Sequence, residues 1–415
     1  MHDDDGDDAV TVLDLALDLA LDGARLPDGR TGAIGIRGGR IVAIETDGAP
    51  LPSARERIDL GGALVLPGLI DAHVHLDKSL VGDRWWPHRT EPSGVFDVRE
   101  RVAIEKEILA RAAPIAQRAA ALIELAVAKG TTHMRSHVDV DPGIGLAHLH
   151  EVLAVCQRYR DAVSVQIVAF PQSGVLTCPG TFELMDAALQ EGAALVGGLD
   201  PAGFDHDVEG QLGAIFGLAD KHGARIDIHL HDPDFTGLGE LEEIARRTKA
   251  LGLQGRVTVS HAYALGMVPR ADAQRTAEKL ADAGVAILTN APGNHAYPSV
   301  MQLRAAGVTV ITGNDNIRDA WWPYGDADML ERAMLVGYGS GFLTDASLEV
   351  ALDLATGSAA RVLGHADYGV RVGAQADLVV VAARSVAEAV VARPPRRYVF
   401  KAGRLVARDG AFVPL

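Results

Sequence analysis

The chain has 415 residues, 48% of them hydrophobic, with 39 Lys and Arg against 55 Asp and Glu and a formal net charge of -16. There is enough apolar material for a large buried core, and the acidic balance excludes a protein that works by neutralising nucleic-acid phosphates. Two cysteines, Cys156 and Cys178, exclude a disulfide framework and a thiolate metal centre, and they suit a reducing, cytoplasmic compartment.

At the N-terminus, MHDDDGDD is acidic where a secretory signal would be basic. No run of about 18 uncharged apolar residues follows, so a protein that neither enters nor crosses a membrane is expected. The next stretch, VTVLDLALDLALDGARL, reads two ways. Asp14, Asp18 and Asp22 fall four apart as on a helix face, while Leu13, Leu15, Leu17, Leu19 and Leu21 alternate as in a strand. AIGIRGGRIVAIETDG then reads as short strands joined by Gly turns, as do ADLVVVAARS and RRYVFKAGRLVARDGAFV at the far end. The likeness of GGRIVA to AGRLVA suggests hairpins of one small β-sandwich domain assembled from residues 1–66 and 363–415.

Between these ends lies LPGLIDAHVHLDKSL, residues 66–80. In a strand, His73 and His75 point the same way and Val74 the opposite way, so the two imidazoles can hold one ion or simply be hydrogen-bonded at a strand end. THMRSHVDV, VSVQIVAFPQ, AALVGGLD, ARIDIHLHD, RVTVSHAYA, VAILTNAPG and VTVITGNDN read as further strands. TFELMDAALQEG, GQLGAIFGLADKHG and AQRTAEKLADAG read as helices between them. This α/β alternation predicts a (β/α)8 barrel over residues 67–362, with a doubly wound open sheet as the alternative.

The predicted strands carry polar residues at their C-terminal ends, the face on which such barrels place their chemistry. His229 in DIHLHD, His261 in VSHAYA and Asp315 in TGNDN fall there. With His73 and His75, His229 and Asp315 make a plausible set for one divalent transition metal ion, leaving His261 as base or orienter.

LPGLIDAHVHLD, AFPQSGVL, IDIHLHD, VSHAYA and TGNDNIRDAWWPYG occur in an order and spacing that resemble the amidohydrolase superfamily, most of all its cytosine deaminase branch. The resemblance covers nearly the whole chain, split β-domain included, and implies a distorted TIM barrel. It implies one zinc or iron ion on His73, His75, His229 and Asp315, and attack by metal-activated hydroxide on an sp² ring carbon. Asp315 would accept the water proton and His261 would stabilise or relay the charge.

Where the family has a glutamate to protonate ring and leaving amine, this chain has Asp232, one methylene shorter, so His231 or Asp234 is a candidate to share the task. Asp232 also reads as an N-cap, although Pro233 and a stretch of residues separate it from the helix containing LGELEEIARR. Gln172 matches a family glutamine that bonds a ring carbonyl and amide, with Phe170 beside it, and Trp321 falls on a family aromatic that packs on the substrate ring. Trp85, Trp86, Trp322 and His295 are candidates for the mouth.

Two departures bear on the substrate. Asn316 stands in place of an acid and Lys78 in place of a small hydroxyl residue, which favours a more electron-rich or anionic ring. Lys78 can equally pair with Asp77 or Asp139 on the rim.

The expected function is therefore metal-dependent hydrolytic deamination of a small N-heterocycle. The alternatives are cleavage of an amide or N-alkyl amine on an azine ring, or a relative that has lost catalysis and only binds. The His-x-Glu and Pro-Cys-x-x-Cys of nucleotide-type zinc deaminases are absent. GGLDP offers only Asp200 where binuclear relatives carry a carboxylated lysine, so a mononuclear site is expected. The expected partners are a small heterocyclic substrate and further copies of the chain in a homo-oligomer.

Overall fold

Eight strands pair in chain order, each parallel to the next: Leu69–Val74, Thr131–Asp139, Ser164–Phe170, Leu195–Leu199, Arg225–Leu230, Val257–His261, Ala286–Thr289 and Val310–Thr312. This is a computed structural model that describes residues 16–46, 48–94, 97–293 and 295–414. Parallel neighbours need crossovers, and helices Ile115–Ala128, Ala147–Arg158, Thr181–Gln190, Val208–His222, Asp234–Ala250, Arg270–Asp282 and Val300–Ala305 supply them. Helices outside and side chains inside cover both faces of the strands, so Thr131–Asp139 is buried along its whole length. The helix Val208–His222 shows how the chain punctuates these units. Asp207 accepts from the Gly210 N–H at its start, and Gly223 takes a left-handed φ of 60° at its end.

The last and first strands close the barrel without a regular ladder. Val74 and Asp315 form a single parallel bridge, and the Asp315 N–H donates to the His73 carbonyl at 2.7 Å. Lower down, the Ile70 N–H turns instead to the Ala355 carbonyl at 2.9 Å. Closure is thus tight at the C-terminal rim and opened below it, which gives a distorted (β/α)8 TIM barrel rather than an open sheet. Gly313 permits the approach, since a Cβ there would lie 2.5 Å from the His73 nitrogen.

Strands from both chain ends build a separate nine-stranded mixed sheet, from Leu17–Arg25 to Leu64–Pro67 on one side of the sequence and from Leu378–Val381 to Ala411–Phe412 on the other. One apolar cluster joins Leu19, Leu21, Ile34 and Val65 to Leu378, Val380 and Phe400. The leucine-rich segment is a strand: Leu19 and Leu21 are buried, and Asp22 pairs with Arg57 at 2.8 Å. Leu13, Asp14 and Leu15 of that stretch lie outside the described residues. No helix among the described residues is long and apolar enough to cross a membrane.

A buried charge cluster joins sheet to barrel. Asp377 accepts from Lys401 Nζ at 2.8 Å and from the Ala402 N–H at 2.7 Å, and it lies 2.8 Å from Nε2 of His133 on the second barrel strand. Burial would raise the Asp377 carboxyl, but His133 and Lys401 hold it at about 2. Asp377→Asn leaves Lys401 as an unpaired buried cation. Its expected cost is about 3 kcal/mol or more of unfolding free energy in urea denaturation.

Candidate active site

The barrel's C-terminal rim gathers the side chains singled out above. His73 and His75 come from the end of the first strand, His229 from the fifth, His261 from the sixth and Asp315 from just beyond the eighth. One donor atom each from His73, His75, His229 and Asp315 lies within 4.8 Å of the other three, and all four residues are buried. Nε2 of His73 and Nε2 of His75 face the same Asp315 oxygen at 3.4 and 3.3 Å.

The chemistry of this donor set fits a divalent transition ion. His73 Nε2, His75 Nδ1 and both nitrogens of His229 are buried without a protein partner, although buried polar groups are rarely left so. Burial pushes His75 down to about 4 and holds His229 and His261 well below the usual imidazole range. Neutral imidazole is the form that coordinates a metal. The rim is also strained. Asp200, His261 and Asp315 take positive φ values of 38°, 73° and 61°, which non-glycine residues seldom adopt and which cluster at functional sites.

His261 lies with its ring 5.1 Å from His229 and 5.2 Å from His73, and Tyr263 Oη is 3.5 Å from its Nδ1. Asn290 donates to the second Asp315 oxygen at 2.8 Å. Against His261, at 4.5 Å between ring centres, stacks His231, whose Nδ1 is 2.9 Å from Asp200. The acid at the fourth strand end therefore orients an imidazole beside the donor cluster.

Asp232 is held by the turn at residues 202–203. Its carboxylate accepts from the Gly203 N–H at 3.0 Å, beside Glu240, which accepts from the Ala202 N–H at 2.8 Å. Burial and then Asp232 push Glu240 up to about 9. The helix behind them starts at Asp234, sooner than the sequence suggests, and no side chain caps it. Asp234 itself is exposed.

On the substrate side, Phe170 packs its ring 4.2 Å from His229, and Lys78 Nζ lies 5.0 Å over that ring. Lys78 is buried, and Asp139, one of the two acids that the sequence reading offered, is the one it pairs with, at 2.9 Å. Its Nζ also lies 3.8 Å from Glu105 and donates to the side-chain oxygen of Gln172. Trp321 donates its indole N–H to Glu105, on the helix Val98–Leu109, so it reaches this group through that acid. Asn316 donates to Asp319 at 2.6 Å, so an acid still stands one hydrogen bond from the position where the family acid is missing. Trp85 is 68% exposed, Trp86 bonds Asp83, and His295 stacks on Tyr263 at 5.5 Å.

Two residues escaped the sequence reading. Glu105 sits on a helix far from any strand-end motif, and burial pushes it up to about 8 beside Lys78. His137, on the second strand, lies with its ring 4.1 Å from His73 and 4.5 Å from His229, buried with neither nitrogen bonded. Its signal was spacing: in THMRSHVDV, Arg135, His137 and Asp139 share one face.

Comparison with known proteins agrees with this geometry. The chain is 33% identical over 391 residues to N-isopropylammelide isopropyl amidohydrolase of Pseudomonas sp. strain ADP, covering 92% of this chain and 94% of that one. The crystal structure of N-isopropylammelide isopropylaminohydrolase from Burkholderia multivorans superposes with a TM-score of 0.90 at 43% identity, covering 95% and 99% of the two chains. That of 5-methylcytosine deaminase from Klebsiella pneumoniae with 5-fluorocytosine gives 0.82 at 28% identity, covering 94% and 97%. The model of the amidohydrolase family matches residues 56–407, which include all eight barrel strands and the whole rim. The chain belongs to the amidohydrolase family and is a hydrolase of carbon–nitrogen bonds other than peptide bonds.

Proposed function

We propose that the protein displaces an exocyclic amine from a ring carbon of a polar, oxo-substituted N-heterocycle, releasing ammonia or a small alkylamine. The observation that carries this reading is the buried Lys78–Gln172 pair next to Phe170 and His229. Lys78 already donates to the side-chain oxygen of Gln172, so one of that oxygen's two lone pairs is taken and the pair is richer in N–H donors than in acceptors. An edge made of N–H donors selects acceptors, which means a ring carbonyl or a deprotonated ring nitrogen.

His73, His75, His229 and Asp315 are the residues that would hold one zinc or iron ion. When bound, such an ion supplies a Lewis acid and a water that ionises near neutral pH. Asp315 and His261 are the groups that would take up and hold the proton the attacking water gives up. His231, with Nδ1 engaged by Asp200, has Nε2 free to carry a proton to the ring and the departing amine. Phe170 packs on the ring face, and Trp321 lines the wall through Glu105. The C–O bond forms first, by addition to the sp² ring carbon, and the C–N bond breaks once the amine is protonated, leaving an oxo group on the ring and a free amine. Similarity to an isopropylaminohydrolase and to a 5-methylcytosine deaminase supports amine displacement.

The test is amine release by metal-replete protein from a panel of amino and alkylamino triazinones and pyrimidinones, cytosine included. The oxo-triazines are expected to be turned over fastest and cytosine slowly. In Lys78→Met, KM for the best substrate should rise by ~10-fold or more, as expected for losing a charge-assisted hydrogen bond, while metal content is unchanged. Failure of the whole panel, or fast cytosine turnover indifferent to that change, would overturn the reading.

A further inference from the structure

Beneath the donor cluster, a line of buried hydrogen bonds crosses the barrel interior. Arg135 on the second strand donates to Asp227 Oδ2 on the fifth at 2.8 Å. Ser260 on the sixth strand donates its hydroxyl to Asp227 Oδ1 at 2.7 Å, and Ser260 Oγ is 2.9 Å from Nδ1 of His73 on the first. Arg135 is in turn held by Thr258 at 3.2 Å and by Gln166 at 3.1 Å. Arg135, Asp227, Ser260 and His73 are each no more than 1% exposed, so in the intact protein these groups depend on one another rather than on solvent.

We infer that Ser260 and Asp227 are positioning residues that lock His73 with its ring proton on Nδ1, so that Nε2 is presented bare to the donor cluster. This inference rests on the metal-site reading above. The argument is one of proton counting. A carboxylate paired with Arg135 can only accept, so the single hydroxyl hydrogen of Ser260 goes to Asp227. What Ser260 turns toward His73 is a lone pair, and only an N–H can answer it. A histidine that binds a metal carries one ring proton, and here that proton is placed on the side away from the cluster. His73 Nε2 then has no hydrogen-bond partner in the protein, as found.

The competing arrangement is specific. Nε2 of His73 lies 3.4 Å from Asp315 Oδ1, so without Ser260 the ring proton is drawn to that side, where it would occupy the donor atom. Asp227 and His229 are two apart on one strand and point the same way. One strand therefore supplies a donor and the anchor that orients its neighbour.

Competition of Zn2+ between a chelator and the purified protein tests this, with thermal unfolding of the metal-free proteins measured in parallel. Ser260→Ala and the isosteric Ser260→Cys are expected to bind Zn2+ ~10–100-fold more weakly than wild type, the usual cost of losing a partner behind a metal ligand. Their metal-free Tm should fall by no more than a few degrees, about the cost of leaving Asp227 Oδ1 and His73 Nδ1 without this partner, and by similar amounts in both variants. Ser260→Thr keeps a hydroxyl and should restore most of the affinity. Wild-type affinity in both Ala and Cys variants would overturn the inference and leave the metal site standing. Equal losses in the Ala and Thr variants with a larger fall in metal-free Tm would assign Ser260 to packing instead. A wild-type protein that binds no Zn2+ or Fe2+ at all would overturn the metal site and this inference together.

Discussion

His229→Ala is expected to purify without a metal ion and to lose at least ~10³-fold in turnover. The ring of His229 lies 4.5 Å from that of His73 and 5.5 Å from that of His75, and it is the only donor the fifth strand contributes to the four-residue cluster. Removing it leaves two imidazoles and a carboxylate in a dry site, with the cavity of the lost ring between them. Lewis-acid assistance supplies several kcal/mol of transition-state stabilisation, and each 1.36 kcal/mol is tenfold in rate. Elemental analysis and amine release on the same preparation check both halves of the expectation. Full metal retention with activity would point to His137, whose unbonded nitrogens lie behind the same rings. The double variant His137→Ala, His229→Ala would then lose what the single one kept.

The positions of the four donors were legible because strand periodicity is simple. Residues two apart share a face, and residues at strand ends of an α/β barrel share a rim, so His73, His75, His229 and Asp315 could be brought together on paper. The barrel itself was legible for the same reason, as alternating β-rich and Ala/Leu-rich segments. Less legible was anything that depends on where a side chain turns after leaving the backbone. Lys78 read equally as a rim residue or a substrate contact. It does pair with Asp139, as one reading had it, but in a buried group that Glu105 joins from a helix in a different part of the chain. His137 was passed over because its only signal, a face shared with Arg135 and Asp139, is one that a buried structural histidine in a strand can show as well. The Leu17–Arg25 segment was ambiguous until the partners of its leucines were visible, since periods of two and of four coincide in its aspartates.

The second large effect separates two neighbouring residues. His231→Gln is expected to lower kcat by ~10²- to 10⁴-fold, the range for losing a general acid or base, with metal content retained. Asp232→Asn should cost less than ~10-fold. The family resemblance assigns the proton to Asp232, but a carboxylate must be free to reach the reacting atoms to deliver one. Asp232 is instead packed on the 202–203 turn, so closely that a Cβ on Gly203 would come within 2.2 Å of its Oδ1. Its missing methylene, about 1.5 Å of reach, would have to be recovered by moving that turn together with Glu240. His231 needs no such movement. It is fixed through Nδ1 by Asp200, stacked on His261, and still about a third exposed at 34%, which leaves Nε2 open to a substrate. Single-turnover kinetics on the best substrate decide between them. An active His231→Gln beside a crippled Asp232→Asn would mean that the turn does move and that the shorter acid swings into the site when substrate binds.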